Sequence, residues 1–205
     1  MPQEADVKMA VLVEHDKRKK EILEKSLELF IEEGYEDVTF QKIADRCGIT
    51  RTTLYIYFKN KREIFLWSIK QLLGRLEEKL VKVIADESLN SVLCLKKIFE
   101  IIFSECEQNT QLFKVLLSYL MQLQKSGGDP DERVSRRVLR LQHLLSTVII
   151  RGQKKEELRK FPVKPMNELL YSLIESAIFE IAVLGRTDLK ENKSLVDFTI
   201  DSLCA

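Results

Sequence analysis

One short stretch of the chain holds most of the side chains suited to chemistry. Thr50, Arg51, Thr52, Thr53, Tyr55 and Tyr57 follow Gly48 closely. They supply hydroxyls, a guanidinium and two phenols, the groups that reach phosphate oxygens and base edges. A helix face that is merely solvated favours Glu and Lys, so this selection points to nucleic acid. Positive charge for such a partner must be local, because the net charge is +1 and residues 1–60 hold ten Lys and Arg against twelve Asp and Glu. The runs Lys17-Arg18-Lys19-Lys20 and Lys59-Asn60-Lys61-Arg62 are the candidates, each readable also as the solvated end of a helix.

Other chemistries find little support. There is no nucleophile elbow, no phosphate-binding glycine loop and no HExxH, and His15 and His143 fall in different expected domains, so no enzyme is expected. The cysteines Cys47, Cys94, Cys106 and Cys204 are scattered without a CxxC pair. They read as reduced thiols packing as small apolar groups, with no metal and no cofactor.

The Thr50 to Tyr57 stretch can work only if other elements hold it, and the punctuation of the sequence supplies them. The 205 residues contain 7 Gly and 4 Pro, with no Pro between Pro2 and Pro130, which favours long helices and an all-α fold. Ile22, Leu23, Leu27, Phe30 and Ile31 recur at helical spacing over about Asp16 to Glu33, with Gly34 placed to end that helix. Thr39 can cap a helix reaching about Cys47, and Thr50 another reaching about Phe58. Asn60 and Glu63 form a capping box, with the Glu63 carboxylate expected on the Asn60 amide, and open a long helix to about Ile84. Further helices are expected over about Leu89 to Glu107, Thr110 to Lys125, Asp129 to Gln153, Met166 to Leu184 and Leu189 to Cys204, nine in all. The loop Phe161 to Pro165 is expected before the eighth.

Phe40 to Lys59 fits a helix-turn-helix. Gly48 stands where the turn needs a left-handed backbone, and Ala44 is small one turn earlier, where the two helices approach. Ile43, Cys47, Ile49, Leu54 and Phe58 would close the small core. The string from Gly34-Tyr35 through Thr39, Ile43-Ala44, Gly48, Leu54-Tyr55-Ile56-Tyr57-Phe58 and Lys61 resembles the N-terminal DNA-binding domain of TetR-family transcriptional regulators over about residues 15–65. Cys47 departs from a usual alanine, and Thr52 replaces a frequent glycine, a change that could shift base preference.

The resemblance implies a homodimer with a helix-turn-helix domain at residues 1–61 and an effector-binding and dimerisation domain at 62–205. By position it implies that Thr39, Tyr57 and Lys61 bind phosphate, where Thr39 and Lys61 lie at helix starts that already favour anions. Arg51, Thr52, Thr53 and Tyr55 would face bases or backbone, Tyr55 meeting a thymine methyl or a phosphate, with Thr50 and Lys59 beside them. In the family the last two helices of each subunit pair across the dimer, which here implies an interface at Leu170, Ile174, Ala177, Ile178, Ile181 and Phe198.

Trp67, Phe99, Phe103, Phe113, Tyr119, Met121 and His143 could line a largely apolar effector pocket, each being readable also as core. Arg133, Arg136, Arg137 and Arg140 share one helix face, as a solvated stripe or an anion-binding surface. No apolar run approaches the roughly 20 residues that span a bilayer, and the start MPQEADVK lacks an apolar signal core, so a cytoplasmic protein without membrane partners is expected. The function implied is a regulator, as a repressor, that binds palindromic operator DNA and is released by a small molecule. The alternative is a structural or division-linked DNA-binding protein that acts through protein contacts.

Overall fold

The computed structural model describes residues 3–205, with side chains for 13–129 and 135–205. Among the described residues there are nine helices and no strand: α1 (Gln3–Glu33), α2 (Phe40–Cys47), α3 (Arg51–Tyr57), α4 (Lys61–Ala85), α5 (Ser91–Gln108), α6 (Thr110–Lys125), α7 (Pro130–Lys154), α8 (Val163–Ala182) and α9 (Lys190–Asp201). The chain divides into two compact units, Met1–Gly74 and Arg75–Ala205. No helix among the described residues is long and apolar enough to cross a membrane.

In the first unit most of the expected apolar residues are buried, with Ile31 and Ile49 half-buried. Ile22, Leu23, Leu27 and Phe30 of α1 are buried together with Ile43, Ala44 and Cys47 of α2 and Leu54 of α3. Gly34 ends α1 at φ 86°, its amide donating to the Phe30 carbonyl at 2.9 Å. The α1 backbone is helical well upstream of Asp16, because residues 3–15 contain no Gly or Pro to stop it. The unit also extends past the Asn60 box to Gly74. Its core needs the first turns of α4: Ile64 and Phe65 are fully buried, the Phe65 ring meets Phe30 edge-on at 5.0 Å, and the Ser68 hydroxyl donates to the Leu23 carbonyl at 2.9 Å. The box itself is shifted by one residue on one arm. Asn60 Oδ1 accepts from the Glu63 amide at 2.9 Å, but the Glu63 carboxylate takes the Lys59 amide at 2.6 Å.

The second unit is built on α5, which packs against α6, α7, α8 and α9. Leu95, Ile98, Phe99 and Phe103 of α5 join Leu145, Val148, Ile149, Leu170, Ile174, Ala177, Ile181, Val196 and Ile200 in one apolar cluster. Glu107, at the end of α5, accepts from Lys193 Nζ at 2.7 Å and from the Leu189 amide at 2.9 Å, which fixes the start of α9. Those bonds hold its carboxyl below the usual range against the opposing effect of burial. Helix α8 begins at Val163, inside the expected loop, with Pro162 at the N-cap. Pro165 is accommodated because first-turn amides have no acceptor within their own helix.

Two helical glycines have opposite surroundings. A Cβ at Gly74 would meet nothing within 4 Å, whereas one at Gly152 would lie 2.6 Å from Leu158 and 2.8 Å from Ser91 Cβ. Gly74→Ala is therefore expected to raise stability by up to about 1 kcal/mol, and Gly152→Ala to cost roughly 1–3 kcal/mol. Urea denaturation of the two variants checks this; a loss at Gly74 would show that a neighbour packs there.

Candidate nucleic-acid interface

The short helix α3 is held from behind and open in front. Leu54 and Phe58 are fully buried, and Gly48 turns the chain at φ 66°, which lets the Ile49 amide bond the Ala44 carbonyl at 3.0 Å. Thr50 is the N-cap: its hydroxyl accepts from the Thr53 amide at 3.1 Å and lies 2.8 Å from the Thr53 hydroxyl. Both threonines thus shape the helix start, each oxygen keeping bonding capacity for a ligand.

Arg51, Thr52, Tyr55 and Ile56 form the exposed face. Arg51 Nη2 donates to the Tyr55 hydroxyl at 3.2 Å, and its guanidinium lies 5.8 Å from the centre of the Tyr55 ring. That ring packs at 4.6 Å on Phe40 of α2, so Arg51 and Tyr55 are ordered as a pair before any ligand arrives. Tyr57 is half-buried and stacks at 4.7 Å on His15 of α1. Ile56 was not among the expected site residues, since an aliphatic side chain offers no hydrogen bond; its position four residues after Thr52 is the signal for it.

The residues expected at phosphates surround this face in the sequence and have bonds of their own. Thr39 caps α2 by accepting from the Lys42 amide at 3.2 Å. Lys61 Nζ donates to the carbonyls of Tyr35 at 2.8 Å and Glu36 at 3.0 Å and sits 4.6 Å from the Tyr35 ring centre. It ties the start of α4 to the loop after α1, with one of three ammonium donors to spare. The Lys59 side chain is exposed. Part of the local acidity is neutralised between α1 and α2, where Arg46 binds Glu32 and Lys42 binds Glu33 at 2.6 Å. The hydrogen bond from Arg46 holds the Glu32 carboxyl below its ordinary range.

The seven expected pocket residues are divided between the two units. Trp67 lies in the first unit, with Lys19 and Lys70 at 5.0 and 4.2 Å from its ring centre. Met121 and His143 are exposed. Phe99 and Phe103 are fully buried and meet edge-on at 5.8 Å, while Tyr119 is buried and Phe113 half-buried. Aromatic residues at helical spacing look alike in sequence whether they face a core or a solvent groove. Of the six residues expected at the dimer interface, Leu170, Ile174, Ala177 and Ile181 are buried in the core of the second unit, Ile178 is half-buried, and Phe198 is exposed, at 73%. An exposed apolar stripe lies on the opposite side of α8, through Leu169 and Phe179, and continues at Val183 just past its end, with Leu195 and Phe198 of α9 also exposed. On α7, Arg136 and Arg140 are exposed and Arg137 half-buried. Arg140 pairs with Glu77, and the side chain of Arg133 lies outside the described residues.

The cysteines offer no reactive thiolate among the buried ones. Burial pushes up the thiols of Cys47 and Cys94 and that of Cys106 to about 12, so all three stay protonated at neutral pH.

Residues 22–66 match the family model TetR_N, described as bacterial regulatory proteins, tetR family. The fatty acid metabolism regulator protein of Bacillus subtilis (strain 168) is 20% identical over 162 residues, covering 77% of this chain and 80% of that one. The nucleoid occlusion factor SlmA of Vibrio cholerae serotype O1 is 26% identical over 153 residues, covering 71% and 73%. The crystal structure of the transcriptional regulator FadR from Bacillus subtilis in complex with stearoyl-CoA shares the fold, with a TM-score of 0.70 at 20% identity over 90% of this chain and 97% of that one.

Lys61 yields a prediction that needs no ligand. Lys61→Met keeps the stem but removes two charge-assisted bonds, so the first unit should lose roughly 1 kcal/mol, discounted for partial exposure. Circular dichroism during urea unfolding measures it; an unchanged midpoint would mean that the ammonium does not hold the loop in solution.

Proposed function

The chain belongs to the tetR family of bacterial regulatory proteins, and from that premise we propose that it is a cytoplasmic, ligand-responsive repressor that binds palindromic operator DNA as a homodimer. The observation that carries this reading is the prearranged Arg51–Tyr55 pair on the open face of α3. A guanidinium held at a helix surface can meet guanine O6 and N7 together in the major groove. Thr39, Lys59, Lys61 and Tyr57 then take phosphates around it, positioning the helix without reading sequence. Two copies joined by the outward stripe of α8 and α9 would present two such helices to successive major grooves about 34 Å apart.

For the effector we propose a long-chain acyl-CoA. The support is the likeness to a fatty acid metabolism regulator and to FadR, whose structure holds stearoyl-CoA. Helix α4 contributes to both units, so one continuous helical backbone carries the chain from the effector domain to the DNA-binding domain. A second reading, a DNA-binding protein that works through protein contacts, is favoured by the likeness to SlmA.

Three measurements test this. On a duplex enriched from a random library, Arg51→Ala should cost roughly 1–3 kcal/mol and relax the preference at one base position per half-site; uniform weakening on all sequences would move Arg51 to the phosphates. Phe198→Glu places a charge on the outward stripe and should give helical monomers in sedimentation, while a variant that remains dimeric would remove this face from the interface. Oleoyl-CoA should raise the melting temperature where coenzyme A alone does not. No shift with acyl chains of any length would favour the second reading.

A further inference from the structure

We propose that Ile56 reads the C5-methyl group of a thymine in the operator half-site, with the methyl of Thr52 extending the same apolar row. The assignment rests on the DNA-binding role of α3 and adds to it a base preference that the polar residues do not carry. Ile56 is 70% exposed, although its neighbours Leu54 and Phe58 are buried. A lone exposed aliphatic residue is ordinary on a protein surface. This one is different in position, because it stands on the face that must enter a groove. It follows Thr52 by four positions, so the two side chains are neighbours along one side of the helix.

Arg51 and Tyr55 form the adjacent row, bonded to each other at 3.2 Å. The face therefore carries two parallel rows of different chemistry, one of hydrogen-bonding groups and one of methyl groups. Thr52 takes no part in capping, which Thr50 performs through the Thr53 amide. In the major groove the bases offer hydrogen-bond donors, acceptors and one apolar group, the thymine methyl. An isoleucine brought against donors and acceptors would desolvate them without replacement bonds, a penalty that excludes those sequences. The half-site should thus combine a guanine for Arg51 with a thymine for Ile56.

The test uses full-length protein and duplexes enriched from a random library. Each enriched thymine is replaced singly by uracil, which removes only the methyl. At one position per half-site the wild type should bind the uracil duplex about fourfold more weakly, the ratio expected for one buried methyl. Ile56→Ser, whose exposed site makes folding safe and whose helicity is checked, should bind thymine and uracil equally there. Equal binding by the wild type at every position would overturn the proposal, as would a uracil penalty of the same size in Ile56→Ser. If no duplex is enriched at all, operator binding itself fails and the methyl reading with it.

Discussion

Everything the N-terminal unit can do depends on a helix too short to exist alone. Helix α3 has seven residues, about two turns, and an isolated helix of that length does not form in water. It is helical here because Leu54 and Phe58 are buried at one side of it, because Thr50 closes its first turn, and because Gly48 allows α2 to deliver the chain at the required angle. The exposed Arg51, Thr52, Tyr55 and Ile56 inherit their positions from that support. Of these, Arg51 and Tyr55 are also tied to each other, and Tyr55 to Phe40.

Electrostatics in this unit are arranged by pairing rather than by excess charge. Arg46 and Lys42 are engaged with Glu32 and Glu33, and Lys61 is committed to two backbone carbonyls. A domain without net positive charge can still meet phosphates when some of its acids are neutralised internally and its free cations and helix starts are local. Lys61 anchors the loop after α1 through those two bonds and keeps one ammonium donor beyond them.

Much of the fold was legible because helix ends carry explicit chemistry. Thr39, Gly48, Thr50 and Asn60 each act where the sequence places them, and most of the apolar residues expected on α1 and α2 are buried. The start of α8 was not legible, since a proline reads as a breaker unless it falls in a first turn, as Pro165 does. A capping box marks where a helix begins and says nothing of what its first turns pack against, which here is α1, through Phe65 on Phe30. Within the site, polar residues were identifiable by type and Ile56 was not. In the second unit the apolar pattern of α8 covers most of its circumference. Periodicity there could not separate Leu170 and Ile174, which face inward, from Phe179 and Val183, which face out.

In the proposed regulator one chain holds both binding events, and linkage makes their coupling measurable. A ligand that weakens operator binding must itself be weakened by operator, by the same factor. Calorimetric titration of oleoyl-CoA into the free protein and into the protein saturated with its enriched duplex tests this directly. The expected result is weaker acyl-CoA binding in the presence of the duplex, by roughly 5- to 150-fold as is typical of allosteric coupling. Equal affinities in the two titrations would contradict it.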